Sequence, residues 1–175
     1  MFALTAPASA VTPPLVSALL QVTVDVDLNP LEGVAGGAVG AFLTTLVVGA
    51  ILVAIAPDYT VDRMAAVLDD PLGALVYGIL VFLLLALLVF LLVLSIVGIF
   101  VVIPLLLLLY VLWAVGSTIA FLAIADRLVD RGDDWLVPLL VAAAINGGLA
   151  LTGVGAILGF VVGAAGFGAV LEGRL

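Results

Sequence analysis

A stretch of 55 residues, from Pro71 to Ala125, contains no charged side chain. A helix needs roughly 20 residues to cross a hydrocarbon core of about 30 Å, so this stretch is too long for one membrane span. It also lacks the polar loop that is usual between two spans. Because backbone polar groups in lipid must be paired inside the protein, the stretch predicts two membrane helices joined by a tight apolar turn.

Helix lengths place this turn at SIVGIF, residues 95–100. A helix of about 20 to 24 residues that begins at Pro71 ends there, and the same count back from Asp126 brings the returning helix to Pro104. We expect Gly98 to adopt a positive φ in the turn and Pro104 to lie in the first turn of the returning helix. These signals predict spans at about 71–95 and 104–125.

Another span precedes this hairpin, and a short amphipathic segment connects the two. Residues 33–56 are uncharged and end at Pro57, which predicts the first span. The connector predicts a helix at about 60–69 that lies in the membrane interface, with Thr60 as its N-cap. Asp70 is the predicted N-cap of the following helix. The apolar positions of the connector recur at helical spacing, at Val61, Met64, Ala65 and Leu68.

The segment from Trp135 to Leu171 is a third uncharged stretch, of 37 residues. A single helix of this length would measure about 55 Å, whereas two full crossings would need about 40 residues and a turn. We therefore predict a glycine-rich broken pair of short helices, at about 135–151 and 154–171. The predicted break is at Asn146, Gly147 and Gly148, and we expect Asn146 to cap a half-helix there rather than bind a ligand.

The first 32 residues differ from the rest in composition. Four prolines interrupt any long helix, and the sequence QVTVDVDLN alternates apolar and polar residues with the period of a strand. Because a single strand is not stable alone, we predict an N-terminal arm at 1–32, partly disordered or forming one short strand. The membrane domain is then 33–175.

The charged residues exclude several classes of function. The chain has 12 acidic residues, four Arg and no Lys, with a net charge of −8, so no basic patch is available for nucleic acid. It has no Cys or His, which removes disulfides, thiolate ligands and the commonest metal ligand. The acid pairs Asp69/Asp70 and Asp133/Asp134 lie at predicted helix starts, where the helix dipole favours them. We predict no catalytic residue, no metal site and no cofactor.

Glycines at four-residue spacing provide a signal for helix packing. Gly155, Gly159 and Gly163 form two overlapping GxxxG steps, and Gly36 and Gly40 form one in the first span. Small residues at this spacing allow helix backbones to approach closely in lipid. We expect the ridge 155/159/163 to form the closest helix contact in the protein.

The order of these elements resembles the membrane domain associated with bactofilins, which are polymer-forming β-helical cytoskeletal proteins. The resemblance rests on the span that ends at Pro57, on VDRMAAVLDDPLGALVYG, on VGIFVVIPLLLL and on the glycine-rich end, and it covers about residues 33–171. The acidic, lysine-free composition resembles that of proteins from halophilic archaea. The bactofilin resemblance implies a membrane anchor or scaffold, and it carries over no catalytic residue.

The sequence thus predicts an all-α, polytopic membrane bundle without enzymatic activity. We expect it to act in the lipid bilayer of the cell membrane as an anchor or scaffold, assembling as a homo-oligomer or with a membrane or cytoskeletal partner. A small oligomeric channel or transporter subunit is the alternative. The positive-inside rule places the N-terminus outside and the C-terminus in the cytoplasm, because the four arginines then share one side.

This topology can be tested with single cysteines, since the chain has none of its own. Cysteines at Asp62, Asp133 and Gly173 should react with a membrane-impermeant thiol reagent from the cytoplasmic side, and a cysteine at Ser9 from the outside. Reaction of the Gly173 position from outside would mean an odd number of crossings between residues 135 and 171.

Overall fold

The structure is a computed structural model that describes residues 30–95, 98–129 and 134–172. The described part consists of six helices and the short connections between them, which confirms the predicted all-α membrane bundle. Residues 1–29 of the predicted arm, including its strand, lie outside the described residues, and the last three residues of the arm, 30–32, belong to the first helix. The helices are α1 (Pro30–Ile55), α2 (Pro57–Asp69), α3 (Pro71–Val93), α4 (Gly98–Leu128), α5 (Leu136–Ala150) and α6 (Gly153–Glu172).

Four of the described helices, α1, α3, α4 and α6, are long and apolar enough to cross a membrane. The fifth apolar helix, α5, has 15 residues and a length of about 22 Å, which is short for a full crossing. Large apolar side chains cover the outside of the bundle, and on α3 they include Leu72, Leu80 and Leu84, each 60% or more exposed. A surface of this kind requires lipid rather than water, and the chain is a multi-pass membrane protein.

The turn between α3 and α4 is shorter than predicted. The returning helix begins at Gly98, so Pro104 lies inside α4 and not in its first turn. Gly98 does not adopt a positive φ, and a Cβ at this position would instead meet the carbonyl of Leu92. Both expectations were wrong because the turn is short and brings the start of α4 against the backbone at the end of α3. The chain already departs from α-helical hydrogen bonding at Ser95, whose N–H donates to Leu92 O at 3.0 Å.

The last apolar stretch divides into two helices close to the predicted helix bounds, but the break does not fall at the residues predicted for it. The break falls at Leu151 and Thr152, and the predicted break residues Asn146, Gly147 and Gly148 all lie inside α5. Thr152 Oγ1 accepts a hydrogen bond from Gly155 N–H at 2.9 Å and so caps the start of α6. A threonine cap, rather than the paired glycines, therefore determines where the new helix begins.

The connecting helix α2 starts earlier than predicted, with Pro57 in its first turn. Thr60 is therefore not an N-cap, and its hydroxyl donates to Ala56 O at 2.8 Å. Asp70 does cap the next helix, because its Oδ1 accepts from Gly73 N–H at 2.9 Å. The buried face of α2 is Thr60, Met64 and Val67, whereas Val61 is exposed. This face is rotated from the predicted one because α2 packs against the ends of other helices.

Arg63 on α2 connects this helix to the far end of the chain. Its Nη1 donates to Ala169 O at 3.1 Å, which lies in the last turn of α6. Carbonyls of a last turn have no partner within their own helix, and a cation there also complements the helix dipole. The contact places the end of α6 beside α2, at what we name the α2 end of the bundle. The opposite end, where α3 turns into α4 and α5 into α6, is the hairpin end.

The core of the bundle is the second half of α6. All eight residues from Gly163 to Val170 are buried, because this segment lies between α3 and α4 with α2 across its end. A helix buried on every side must be narrow on every side if its neighbours are to approach it. The sequence GAAGFGAV meets that condition with six small residues around Phe167, whose ring is 1% exposed.

Backbone meets backbone on two sides of this segment. A Cβ at Gly168 would meet the carbonyl of Ala74 on α3, and a Cβ at Gly78 would meet the carbonyl of Ala164 on α6. On the other side, a Cβ at Gly166 would meet the carbonyl of Gly116 on α4. In lipid such close packing replaces the hydrophobic effect as the force that holds helices together.

Gly166→Ala should therefore destabilise the bundle by about 1–3 kcal/mol, the range of an overpacking penalty, since a backbone carbonyl cannot move aside. Gly148→Ala is the matched control, because a Cβ there meets no described heavy atom within 4 Å. Reversible unfolding in mixed micelles measures both variants. Equal stability of the two would contradict this packing.

Candidate functional site

A cavity of about 520 Å³ lies between α1, α4, α5 and α6 toward the hairpin end. Among the described helices α1 and α6 make no contact with each other, so the cavity opens sideways between them. Its floor is α4 and its end wall is α5. Its size falls within the range of about 300–1,000 Å³ that is typical of ligand pockets.

The cavity is the place where the bundle collects uncharged polar side chains. They come from three helices, since α1 supplies one, α4 three and α5 one. In lipid, such groups usually pair with their own backbone or with a neighbouring helix, and here they converge on one space. The polar lining consists of Thr44, Tyr110, Trp113, Ser117 and Asn146.

Asn146 connects α5 to α1 from the edge of the cavity. Its Nδ2 donates to Thr45 Oγ1 at 2.7 Å and reaches Ala41 O at 3.5 Å. Thr45 is only 1% exposed, so this hydrogen bond is shielded from water. The predicted capping role of Asn146 is wrong, because the residue sits inside α5 and faces another helix. Its Oδ1 accepts no hydrogen bond from any other described residue.

The other polar groups of the cavity are also incompletely paired. Ser117 Oγ donates to Ala114 O at 3.2 Å, which leaves its lone pairs free to accept. Thr44, Tyr110 and Trp113 make no side-chain hydrogen bond within the part of the chain that the structure describes. The site thus holds unused donors and acceptors but, among its lining residues, no charge.

Two glycines of the predicted ridge, Gly155 and Gly159, line this cavity, and the ridge does not form the closest helix contact. A Cβ at Gly159 would have no described heavy atom within 4 Å, so this prediction is wrong within the chain. A Cβ at Gly155 would meet the side chain of Thr152, just before its own helix, and the carbonyl of Leu149, in the last turn of α5. Gly163 does pack against another helix, with the ring of Trp113 2.8 Å from the position of a Cβ. The three glycines do not form one continuous helix contact, because Gly159 in the middle faces open space.

The closest contacts use small residues that our sequence analysis did not single out. They are Ala74 and Gly78 on α3 and Ala164 and Gly168 on α6, together with Gly116 and Gly166. The first four form an Ala-xxx-Gly pair on each of two helices, so a search for small-xxx-small steps in place of GxxxG would have found them. In the predicted first-span pair, Gly36 and Gly40 have no described heavy atom within 4 Å of a Cβ.

The chemistry of the cavity is that of hydrogen-bonding groups set in an apolar wall. Its walls offer hydroxyl, indole and amide groups on an otherwise apolar surface of alanine and phenylalanine. Nowhere in the described ranges do three His, Cys, Asp or Glu side chains come close enough to hold a metal ion. A second cavity of about 420 Å³, between α3 and α4, shares Tyr110 and Trp113 but is otherwise apolar.

The hydrogen bond between Asn146 and Thr45 should be measurable by a double-mutant cycle. Asn146→Leu and Thr45→Val should each destabilise the bundle, and the coupling energy should be about 0.6–1.7 kcal/mol, the range from the average to the maximum for polar pairs between membrane helices. Unfolding in mixed micelles gives the four stabilities. Strictly additive effects would mean that the pair contributes nothing.

A family model described as "Domain of unknown function (DUF8173)" matches residues 1–174. No curated protein and no solved structure matches the chain.

Proposed function

The chain belongs to the DUF8173 family, and we propose that it is an integral membrane scaffold that assembles laterally through α1, with itself or with a partner. The family description assigns no activity, so the proposal rests on the geometry of this helix. The observation that carries it is the uncovered glycine face in the first half of α1.

Four glycines fall within eight residues of α1, at positions 33, 36, 37 and 40. A Cβ at any of them would meet no described heavy atom within 4 Å. Glycine inside a helix costs about 1 kcal/mol relative to alanine, and several glycines elsewhere in this chain, among them Gly78, Gly166 and Gly168, lie where the backbones of two helices touch. A glycine cluster without such a contact inside the chain fits a contact with another chain.

The position of α1 in the bundle also favours lateral assembly. It lies at one edge, packed mainly against α5 and less closely against α4, and it touches neither α3 nor α6. A groove of about 550 Å³ runs beside it along α5, lined by small residues such as Ala35, Ala38 and Gly148. At 3.6 residues per turn, Gly36 and Gly40 lie on a different side of α1 from this groove, so the side that a second copy would cover is the glycine side.

The resemblance to bactofilin-associated membrane domains favours a cytoskeletal polymer as the partner of such an assembly. Under the positive-inside orientation the α2 end faces the cytoplasm, so a cytoskeletal polymer would bind at this end of the bundle, across which α2 lies. Anchoring needs no charged residue at membrane depth. Between Gly33 and Ala125, all charged residues lie in α2 or at its C-cap, Asp70, and the described spans there contain none.

The double substitution Gly36→Leu and Gly40→Leu should abolish self-association, because two branched side chains would separate the helices at their closest approach. The oligomeric mass in detergent, from light scattering, and crosslinking in native membranes are the measurements. We expect an oligomer for the native chain and a monomer for the variant.

Val76→Phe with Leu80→Phe is the matched control, since both side chains are more than half exposed and lie on α3, which does not touch α1. It should leave the oligomer intact. A native chain that is monomeric in its own membrane and without a crosslinked partner would refute the scaffold.

The second candidate, a small oligomeric channel, is favoured by the polar cavity that borders α1. Copies assembled around α1 could join their cavities into a pathway lined by Thr44, Ser117 and Asn146. Solute or ion flux through reconstituted oligomers distinguishes the two functions, because a scaffold should give none.

A further inference from the structure

The polar cavity between α1, α4, α5 and α6 leaves hydrogen-bonding capacity unused inside a membrane bundle. Asn146 Nδ2 is taken by Thr45 and Ala41, but its Oδ1 accepts nothing within the described part. The hydroxyls of Thr44 and Tyr110 are likewise without a bond to another described residue. Unpaired polar groups in a membrane cost several kcal/mol each, so an occupant that pairs with them is stabilised.

That occupant is uncharged. The lining contains no acidic or basic side chain, and an ion without a partner is strongly disfavoured at low dielectric. The hydration free energy that a carboxylate, phosphate or ammonium group loses on leaving water would therefore exceed the interaction free energy that this site supplies.

The same groups indicate that the occupant both donates and accepts. Asn146 Oδ1 can only accept, and Ser117 Oγ has its proton directed to Ala114 O and so accepts as well. Tyr110 and Trp113 supply an O–H and an N–H that can donate. A single hydroxyl group matches both requirements, whereas a ketone or an ether could satisfy only the donors.

The shape of the cavity indicates an apolar body and an origin in the bilayer. The opening lies between α1 and α6, two helices that do not touch. Phe160, which lines the cavity on α6, is 45% exposed at the apolar surface of the bundle, so the opening faces lipid. Alanines and glycines together with Phe121 and Phe160 form the rest of the wall.

We propose that this cavity binds a neutral long-chain alcohol from the bilayer. The hydroxyl donates to Asn146 Oδ1 and accepts from Tyr110 or Thr44, and the hydrocarbon chain leaves between α1 and α6. This site is independent of the scaffold proposal, because the glycines of the assembly face, except Gly40, lie outside the cavity lining.

Trp113 provides the readout, since it lines the cavity and is one of only two tryptophans. In a Trp135→Phe background, reconstituted in phosphatidylcholine vesicles, we titrate hexadecanol brominated near its hydroxyl and follow the quenching of Trp113 fluorescence. The matched probes are a bromohexadecane and a bromohexadecanoate. Saturable quenching by the alcohol alone is the expected result.

Two variants locate the site. Gly159→Leu puts a side chain into open space of the cavity and should abolish saturable quenching, whereas Gly148→Leu, equally unobstructed but outside the lining, should not. Asn146→Leu should weaken binding of the alcohol about three- to tenfold, which corresponds to the loss of one hydrogen bond. Because Gly159→Leu keeps Asn146 and Thr45 in place, it remains decisive if Asn146→Leu unfolds.

Three outcomes would overturn the proposal. Equal quenching by the bromoalkane would show partition without recognition of the hydroxyl, and equal quenching by the carboxylate would show that charge is tolerated. Saturable quenching that survives Gly159→Leu would place the alcohol elsewhere. None of these results bears on oligomerisation through α1, which is measured separately by mass and crosslinking.

Discussion

The backbone contact of α6 with α3 and α4 is the interaction on which the rest of this structure depends. Gly168 lies against Ala74, Gly78 against Ala164, and Gly166 against Gly116. Where a Cβ would collide with a carbonyl oxygen, only glycine lets the helices approach this closely. The narrowness of the segment from Gly163 to Val170 allows it to be buried on every side, and this burial places α3 and α4 on either side of it.

The α2 end is closed by the same helix. Arg63 donates to Ala169 O in the last turn of α6, and its guanidinium also stands over the ring of Tyr59 at 5.5 Å. Met64 and Val67, on the same helix as this arginine, are buried against the bundle. A charged residue thus satisfies a helix terminus from the interface, and no charge needs to enter the membrane.

The hairpin end is looser, and its looseness creates the cavity. There α6 continues beyond its tight half, and its Gly159 faces open space instead of a helix. α1 stands apart from α6 and is held by α5 through Asn146 and Thr45. One molecule thus has a tightly packed half built on small residues and an open half in which polar groups remain available.

The sequence by itself determined the helices, because uncharged length is a direct requirement of the bilayer. Asp70 with Pro71, the end of α1 before Pro57 and the division of the last stretch near residue 152 all follow from length and capping. Only the tertiary structure decided which small residues meet, why Gly98 must be glycine, and that Asn146 faces Thr45. The physical reason is that glycine spacing is the same on a packed face and on an open one. Which face another helix covers depends on contacts between segments far apart in the chain, and the local pattern does not contain that information.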